Sequence, residues 1–282
     1  MNIGITGVNG FVGSFLCNDM DSSHDNLIKL STHPTKDMIK LKNGVPETIS
    51  GFKYPNVLIH CGGSIGNNFS KEEHYFNNVL TTKNLLNWAE VNKVKHFIYI
   101  STGAVYGAND NWVNEETALN PENFYAESKI LAENLVVNSN IENKTILRLF
   151  FPLGKSNKTN LFNRLLYKVA YNETIILNNH GKPDITPFIL LDFKDILIEI
   201  INKQLNGIYN LSSNQKISIV EIVDIFSLML RKKYSYKFND LKVKNYLGDS
   251  SKLFKIINIQ KERNIKNIIK SVGAYSYEAM EK

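Results

Sequence analysis

A chain of 282 residues with 43% apolar content can bury a sizeable core, as one large domain or two smaller ones. No run approaches the roughly 18 consecutive apolar residues of a membrane span, and Cys17 and Cys61 fall in predicted core segments, so neither a membrane protein nor a disulfide scaffold is expected. The net charge of +6 comes mostly from Lys spread along the chain, with Arg only at Arg148, Arg164, Arg231 and Arg263, which excludes the clustered cationic face of a nucleic-acid binder and suits anionic small ligands.

Met1 to Thr6 reads as a strand. The chain enters it at once, so no leader segment is expected and a reducing cytoplasm follows. Gly7-Val-Asn-Gly10-Phe-Val-Gly13 comes next, and Ser14 to Met20 continues as a helix. In a strand–turn–helix, Gly7 allows the tight turn, Gly10 lets backbone approach a pyrophosphate, and Gly13 lets helix and strand pack closely. Unpaired N–H groups at the helix start favour a phosphate. Dinucleotide binding is therefore expected at Gly7, Asn9, Gly10, Phe11, Val12 and Gly13.

Further apolar strands are expected at 26–31, 56–61, 96–101 and 145–150, alternating with helical stretches. That alternation predicts an α/β fold, a Rossmann-type doubly wound parallel sheet. An acid ending the second strand would hold the adenosine ribose of NAD. Here that strand ends in Ser31-Thr32-His33 with Lys36 nearby, so Ser31 and Thr32 are expected at the ribose, and NADP is expected over NAD. The strand at 96–101 ends in Ser101-Thr102, where open α/β sheets bind ligands. Thr102 is the stronger candidate for touching substrate; Ser101 reads equally as a cap. Tyr125 and Lys129 lie four apart in Asn123-Phe-Tyr-Ala-Glu-Ser-Lys129, hence on one helix face. An ammonium beside a phenol should lower its pKa and make it a proton donor near neutrality.

The chain changes character beyond residue 151. Ser156 to Asn160 reads as a loop, and Leu161 to Tyr171 as an amphipathic helix. Short strands are expected at 175–177, 188–191 and 208–211, and helices at 217–232 and 265–277. The expected division is a coenzyme domain over 1–151 and a smaller, mainly substrate-binding lobe over 152–282, with some segments returning to the main sheet. His24, His33, His74, His96 and His180 show no Cys/His spacing, so no metal site is expected.

These motifs resemble the extended short-chain dehydrogenase/reductases of the NAD-dependent epimerase/dehydratase family. Thr6-Gly7-Val-Asn-Gly10-Phe11-Val-Gly13 is similar to the family's Thr-Gly-x-x-Gly-Phe-x-Gly. Val57-Leu-Ile-His60-Cys61-Gly62-Gly63 is an altered form of the strand ending His-Leu-Ala-Ala, and Asn78 to Leu86 resembles Asn-Val-x-Gly-Thr-x-Asn-Leu-Leu. Ser101 to Gly107 resembles Ser-Ser-x-x-Val-Tyr-Gly, and Tyr125 and Lys129 fall on the catalytic pair. Later stretches, Phe188 to Asp192, Gly207 to Ser212 and Asp249 to Lys252, match more loosely. The resemblance implies Thr102, Tyr125 and Lys129 as catalytic residues, with Cys61, Gly62 and Gly63 also at the coenzyme. Ser64, Thr102, Tyr125 and Asn160 are assigned to a nucleotide-sugar substrate.

The family's dehydratases follow the catalytic Thr with Asp-Glu, but here Gly103-Ala104 follows, so 4,6-dehydration is set aside. The expected reaction is reduction of a nucleotide-linked 4-keto-6-deoxy sugar at C4, with Tyr125 as proton donor. The alternative is a nucleotide-sugar 4-epimerase, and a non-catalytic dinucleotide-binding regulator is a weaker third. A homodimer is expected. Phe151 and Thr186 stand where the family has an Asn and an Arg that help hold the substrate diphosphate.

Overall fold

The computed structural model describes residues 1–20, 26–47, 54–66, 68–155, 160–239, 241, 244–257, 259 and 263–280. Residues 156–159 of the expected loop, and His24, lie outside the described residues. The chain divides into two compact units, one comprising 1–107, 118–149 and 193–209, the other 108–117, 150–192 and 210–282.

In chain order, the first elements are β1 (Asn2–Thr6), α1 (Phe11–Met20), β2 (Asn26–Ser31), β3 (Met38–Lys42), β4 (Val45–Pro46) and β5 (Val57–His60). There follow α2 (Lys71–His74), a π-helical turn (Tyr75–Leu80), α3 (Thr81–Val91), β6 (His96–Thr102), a 3-10 turn (Gly103–Tyr106), β7 (Trp112–Val113), α4 (Phe124–Val137) and β8 (Asn143–Leu149). The rest is α5 (Leu161–Ala170), β9 (Ile175–Asn178), β10 (Asp184–Ile185), α6 (Phe193–Asn202), β11 (Gly207–Leu211), β12 (Ile217–Ser218), α7 (Ile219–Leu230), β13 (Tyr236–Asn239), β14 (Leu247–Gly248), α8 (Ser251–Phe254) and α9 (Ile265–Met280).

The main sheet has eight strands in the order β11-β8-β6-β5-β1-β2-β3-β4. β2, β1, β5, β6 and β8 pair parallel in succession, as does β3 with β2, and β4 pairs antiparallel on β3. The chain winds outward from β1 to β3, then restarts on the other side at β5, so the topological switch lies between β1 and β5. β5 is buried throughout and β6 nearly so, as a parallel sheet covered on both faces requires. α1 packs with α6, and Lys194 Nζ reaches the Asp19 carbonyl at 3.1 Å. α3 and α4 pack together over Leu30, Leu58, Phe97, Tyr99 and Ile146.

β3 and β4 are not among the expected strands. Asn43 (φ 52°) and Gly44 (φ 86°) form the two-residue turn between them, with Lys42 opposite Val45. Asn-Gly with both φ positive is a strong hairpin signal, and it was there to be read.

In the second unit, α5, α7 and α9 close around Phe162, Leu166, Ile222, Phe226, Ile269 and Val272. Residues 188–191 are not the expected strand: Ile189 makes one bridge to Leu153, and Leu190–Asp192 turns as a 3-10 helix. The expected helix at 217–232 begins two residues late, because Ser218 caps it. The Ser218 side chain takes the Glu221 N–H while the Glu221 carboxylate takes the Ser218 N–H. Among the described residues no helix is long and apolar enough to cross a membrane.

Candidate active site

Parallel strands bring their carboxyl ends to one edge, so the segments after β1, β2, β5 and β6 gather there. Gly7, Ser31, Cys61 and Thr102 stand at those four ends. Gly7 has φ 69°, and a Cβ there would meet the Cys61 carbonyl carbon at 2.6 Å. A Cβ on Gly13 would meet the Gly7 carbonyl oxygen at 2.2 Å, so both glycines are required by close backbone approach. Gly10 differs. Its N–H closes the turn on the Gly7 carbonyl (2.9 Å), and its Cβ would meet only that oxygen, at 3.2 Å. Gly10 is exposed at the start of α1, whose first-turn amides have no acceptor within their own helix. An open glycine before unpaired amides fits a pyrophosphate.

Asn9 ties this turn to the end of β2. Its Nδ2 donates to Ser31 Oγ (2.8 Å) and to the His33 carbonyl (2.9 Å). Ser31 Oγ also accepts the His33 N–H at 3.1 Å. Thr32 and His33 are exposed, with Thr32 Oγ1 3.1 Å from His33 Nδ1.

Asn123 caps α4, taking the Ala126 N–H at 2.9 Å, and so sets Tyr125 in the first turn with Lys129 one turn on. Thr102 caps the following 3-10 turn by accepting the Ala104 N–H at 3.2 Å. Its hydroxyl proton hydrogen-bonds the Tyr125 oxygen, which lowers the phenol, but burial outweighs this and raises it. The expected lowering of Tyr125 by Lys129 is therefore not what the structure shows: desolvation wins, and Thr102 is what opposes it. Lys129 is buried, donates from Nζ to the Ile100 carbonyl (2.7 Å) and lies 4.1 Å from the centre of the Tyr99 ring. Burial lowers its ammonium to about 7, against Glu133 and Cys61, which raise it.

Beside Lys129, the Cys61 thiol is pushed up to about 12, mainly by burial. His60 is lowered to about 3 by burial and then by Lys129. Thr82 gives its proton to the Asn78 carbonyl (2.6 Å), so it accepts from His60 Nε2 (2.9 Å), and His60 Nδ1 accepts from Thr6 (2.6 Å). His60 is a packed core histidine.

Ser64, assigned to substrate, is spoken for within the unit. Its N–H donates to Asn78 Oδ1 (2.8 Å), and its carbonyl accepts from Asn78 Nδ2 (3.1 Å). His74 Nε2 faces the Gly66 carbonyl at 2.8 Å and so carries the proton, which leaves Nδ1 to accept the Ser64 hydroxyl at 2.8 Å. Asn78 Nδ2 also reaches Ser128 Oγ (2.8 Å), whose own proton goes to the Tyr125 carbonyl (2.7 Å). The π-turn thus ties the Ser64 loop to α4. Its sequence signal was an Asn in a helix motif; nothing local announced His74.

Ser101 is no cap. It bonds Glu133, which pairs with Arg148. Asn160 belongs to the second unit, where it caps α5 by taking the Asn163 N–H at 2.9 Å. In that unit Thr186 is fully buried and accepts the Gly248 N–H at 2.9 Å, while Phe151 takes the left-handed φ of 40° and packs edge-on to Tyr246 at 5.9 Å. Among the described residues no group of three or more His, Cys, Asp or Glu could hold a metal ion.

A family model described as the NAD dependent epimerase/dehydratase family matches residues 3–211. A curated relative from Bacillus subtilis (strain 168), named an uncharacterized UDP-glucose epimerase YtcB, is 23% identical and aligns over 98% of each chain. Among solved structures, MoeE5 in complex with UDP-glucuronic acid and NAD superposes with a TM-score of 0.88 at 18% identity, covering 99% of this chain and 100% of that one. RMD from Pseudomonas aeruginosa complexed with NADPH superposes with a TM-score of 0.81 at 18% identity, covering 98% and 99%.

Proposed function

The chain belongs to the NAD dependent epimerase/dehydratase family, and from that premise we propose that it is a cytoplasmic nucleotide-sugar reductase acting at C4 of a 4-keto-6-deoxy hexose. The observation that carries the reading is the Thr102–Tyr125 hydroxyl pair, with Lys129 one turn on, at the strand ends beside the Gly7–Gly13 turn. When bound, the nicotinamide coenzyme supplies the hydride to C4. Tyr125 gives its phenolic proton to O4 as negative charge develops there, which yields the secondary alcohol. Thr102 hydrogen-bonds the same oxygen and holds it in line. Lys129, one turn on, would hydrogen-bond the nicotinamide ribose and supply positive charge that favours the phenol's proton loss in the transition state. Gly7, Asn9, Gly10, Phe11, Val12 and Gly13 would hold the pyrophosphate, and Cys61 to Gly63 would line the nicotinamide side.

NADPH is the proposed reductant. β2 ends in Ser31, Thr32 and His33 without an acid, and Lys36 is close in sequence. Calorimetry should give tighter binding of NADPH than of NADH; the reverse order would withdraw this part.

A second reading, 4-epimerisation of a nucleotide sugar, is supported by the name of the Bacillus relative. The two differ in stoichiometry. A reductase consumes one equivalent of reduced coenzyme per product, whereas an epimerase returns its hydride to the same carbon. Loss of 340 nm absorbance with a 4-keto-6-deoxy sugar nucleotide supports the first. Interconversion of C4-epimeric sugar nucleotides without change in free coenzyme supports the second.

A further inference from the structure

Four buried polar side chains of the first unit meet behind the catalytic residues. Arg148 on β8 donates from Nε to Glu133 Oε1 (3.1 Å) and from Nη2 to Glu133 Oε2 (2.6 Å). Ser101 on β6 donates to Glu133 Oε1. Arg148 Nη1 donates to the Tyr106 hydroxyl at 2.7 Å, and the guanidinium lies 4.9 Å from the centre of that ring. None of the four is more than 4% exposed. Well-packed apolar residues often replace such a pair without loss of stability, so stability alone does not account for it.

Position does. Ser101 directly precedes Thr102, and Tyr106 closes the turn that Thr102 caps. Glu133 lies one helical turn beyond Lys129 and two beyond Tyr125, on the same face of α4. We infer that Glu133 is a positioning residue for the Tyr125–Lys129 pair: clamped by Arg148 and Ser101, its carboxylate fixes α4 against β6 and presents a set negative charge to the Lys129 ammonium. The inference rests on the roles proposed for Tyr125 and Lys129.

The groups that face Lys129 leave Glu133 alone in this task. Tyr125 shares its helix. Tyr99 and the Ile100 carbonyl come from β6, and His60 and Cys61 from β5 and its end. Burial raises the phenols of Tyr99 and Tyr125 and the thiol of Cys61, and keeps His60 neutral. Glu133, ion-paired to Arg148, brings the carboxylate that opposes the burial of the ammonium.

The test follows Lys129 itself, in full-length protein labelled with [13Cε]lysine, its signal identified by loss in Lys129→Met. The wild-type titration midpoint is expected at about 7. Glu133→Gln should lower it by about one unit or more, the usual effect of losing a close opposite charge. Ser101→Ala, which keeps the carboxylate, should leave the midpoint in place. If Glu133→Gln does not fold, Glu133→Gln with Arg148→Met leaves no unpaired buried guanidinium; because losing the Arg148 charge by itself raises Lys129, a smaller downward shift is expected there. An unchanged midpoint in either folded variant overturns the inference. The alkaline limb of coenzyme turnover should move down with the midpoint. A moved midpoint with an unmoved limb leaves the coupling standing and overturns instead the role proposed for Lys129.

Discussion

Tyr125 and the glycines of the first turn are where single atoms decide the outcome. Tyr125→Phe keeps the ring and removes the proposed proton donor. Turnover should fall by about 10²–10⁴-fold, the usual worth of general acid catalysis, while coenzyme affinity measured by calorimetry stays level. The glycines separate into two kinds. A Cβ on Gly13 would press on the Gly7 carbonyl at 2.2 Å, so Gly13→Ala should destabilise the coenzyme-free protein, by about 1–3 kcal/mol if it behaves as other overpacked sites. Gly10→Val places its bulk on the exposed side, so thermal unfolding without coenzyme should change little while coenzyme binding is lost. Normal affinity in Gly10→Val would make that turn structural only. Both glycines were legible in the sequence as a motif, but only the backbone geometry tells which is required by packing and which is left open.

At the scale of an element, the π-turn Tyr75–Leu80 holds the most weight for its length. The extra residue in a π-turn displaces side chains from the helical register. In this one Asn78 is buried and bonds Ser64 on both backbone groups and Ser128 on α4. Asn78→Leu would leave the Ser64 N–H and carbonyl buried without these partners. A loss of about 1–3 kcal/mol is expected for such groups, read from the urea midpoint, together with faster amide exchange in residues 62–66. A stability equal to wild type would mean that the loop finds other partners. The segment 38–46 teaches the converse. Its hairpin was announced by Asn43-Gly44, yet a parallel β3 follows β2 with only residues 32–37 between them. Parallel neighbours usually need a crossover of a dozen residues or more, so alternation alone did not suggest a strand there.

For the whole molecule, acid sensitivity is set by two buried histidines. Burial lowers His60 to about 3 and His96 to about 4, from an ordinary value of 6.5. The unfolded chain therefore takes up protons below about 6.5 that the folded chain refuses, and stability falls as pH drops through that window. Each histidine contributes up to about 1.4 kcal/mol per pH unit there. Urea midpoints should fall steeply between pH 6.5 and 4.5, and His60→Gln should flatten the slope; an equal slope in the variant would move the cause elsewhere. Association is the second question at this scale. We propose a homodimer through α3 and α4, which pack side by side and leave Val91 80%, Leu131 46% and Val137 51% exposed. Sedimentation should give twice the chain mass, and Leu131→Glu should shift it toward the monomer.

Local patterns carried what repeats along the chain. Strand–turn–helix with spaced glycines, Tyr125 and Lys129 on one face, and Thr102 after a buried strand are set by neighbours within a few residues, so the parallel α/β fold and the placement of these three residues were readable from the sequence alone. Residues 188–191 were misread because an apolar run looks the same in a strand and in packed irregular chain. Tertiary structure alone decided the electrostatics. Whether Lys129 lowers Tyr125 depends on burial, and burial reverses the sign that spacing suggests. The Glu133–Arg148–Ser101 cluster joins residues 101, 133 and 148 from three elements. The Asn78–Ser64–His74 knot likewise closes only when a loop and a helix pack. Distances in space are what fix dielectric and hydrogen-bond partners, and a sequence states them only within one element.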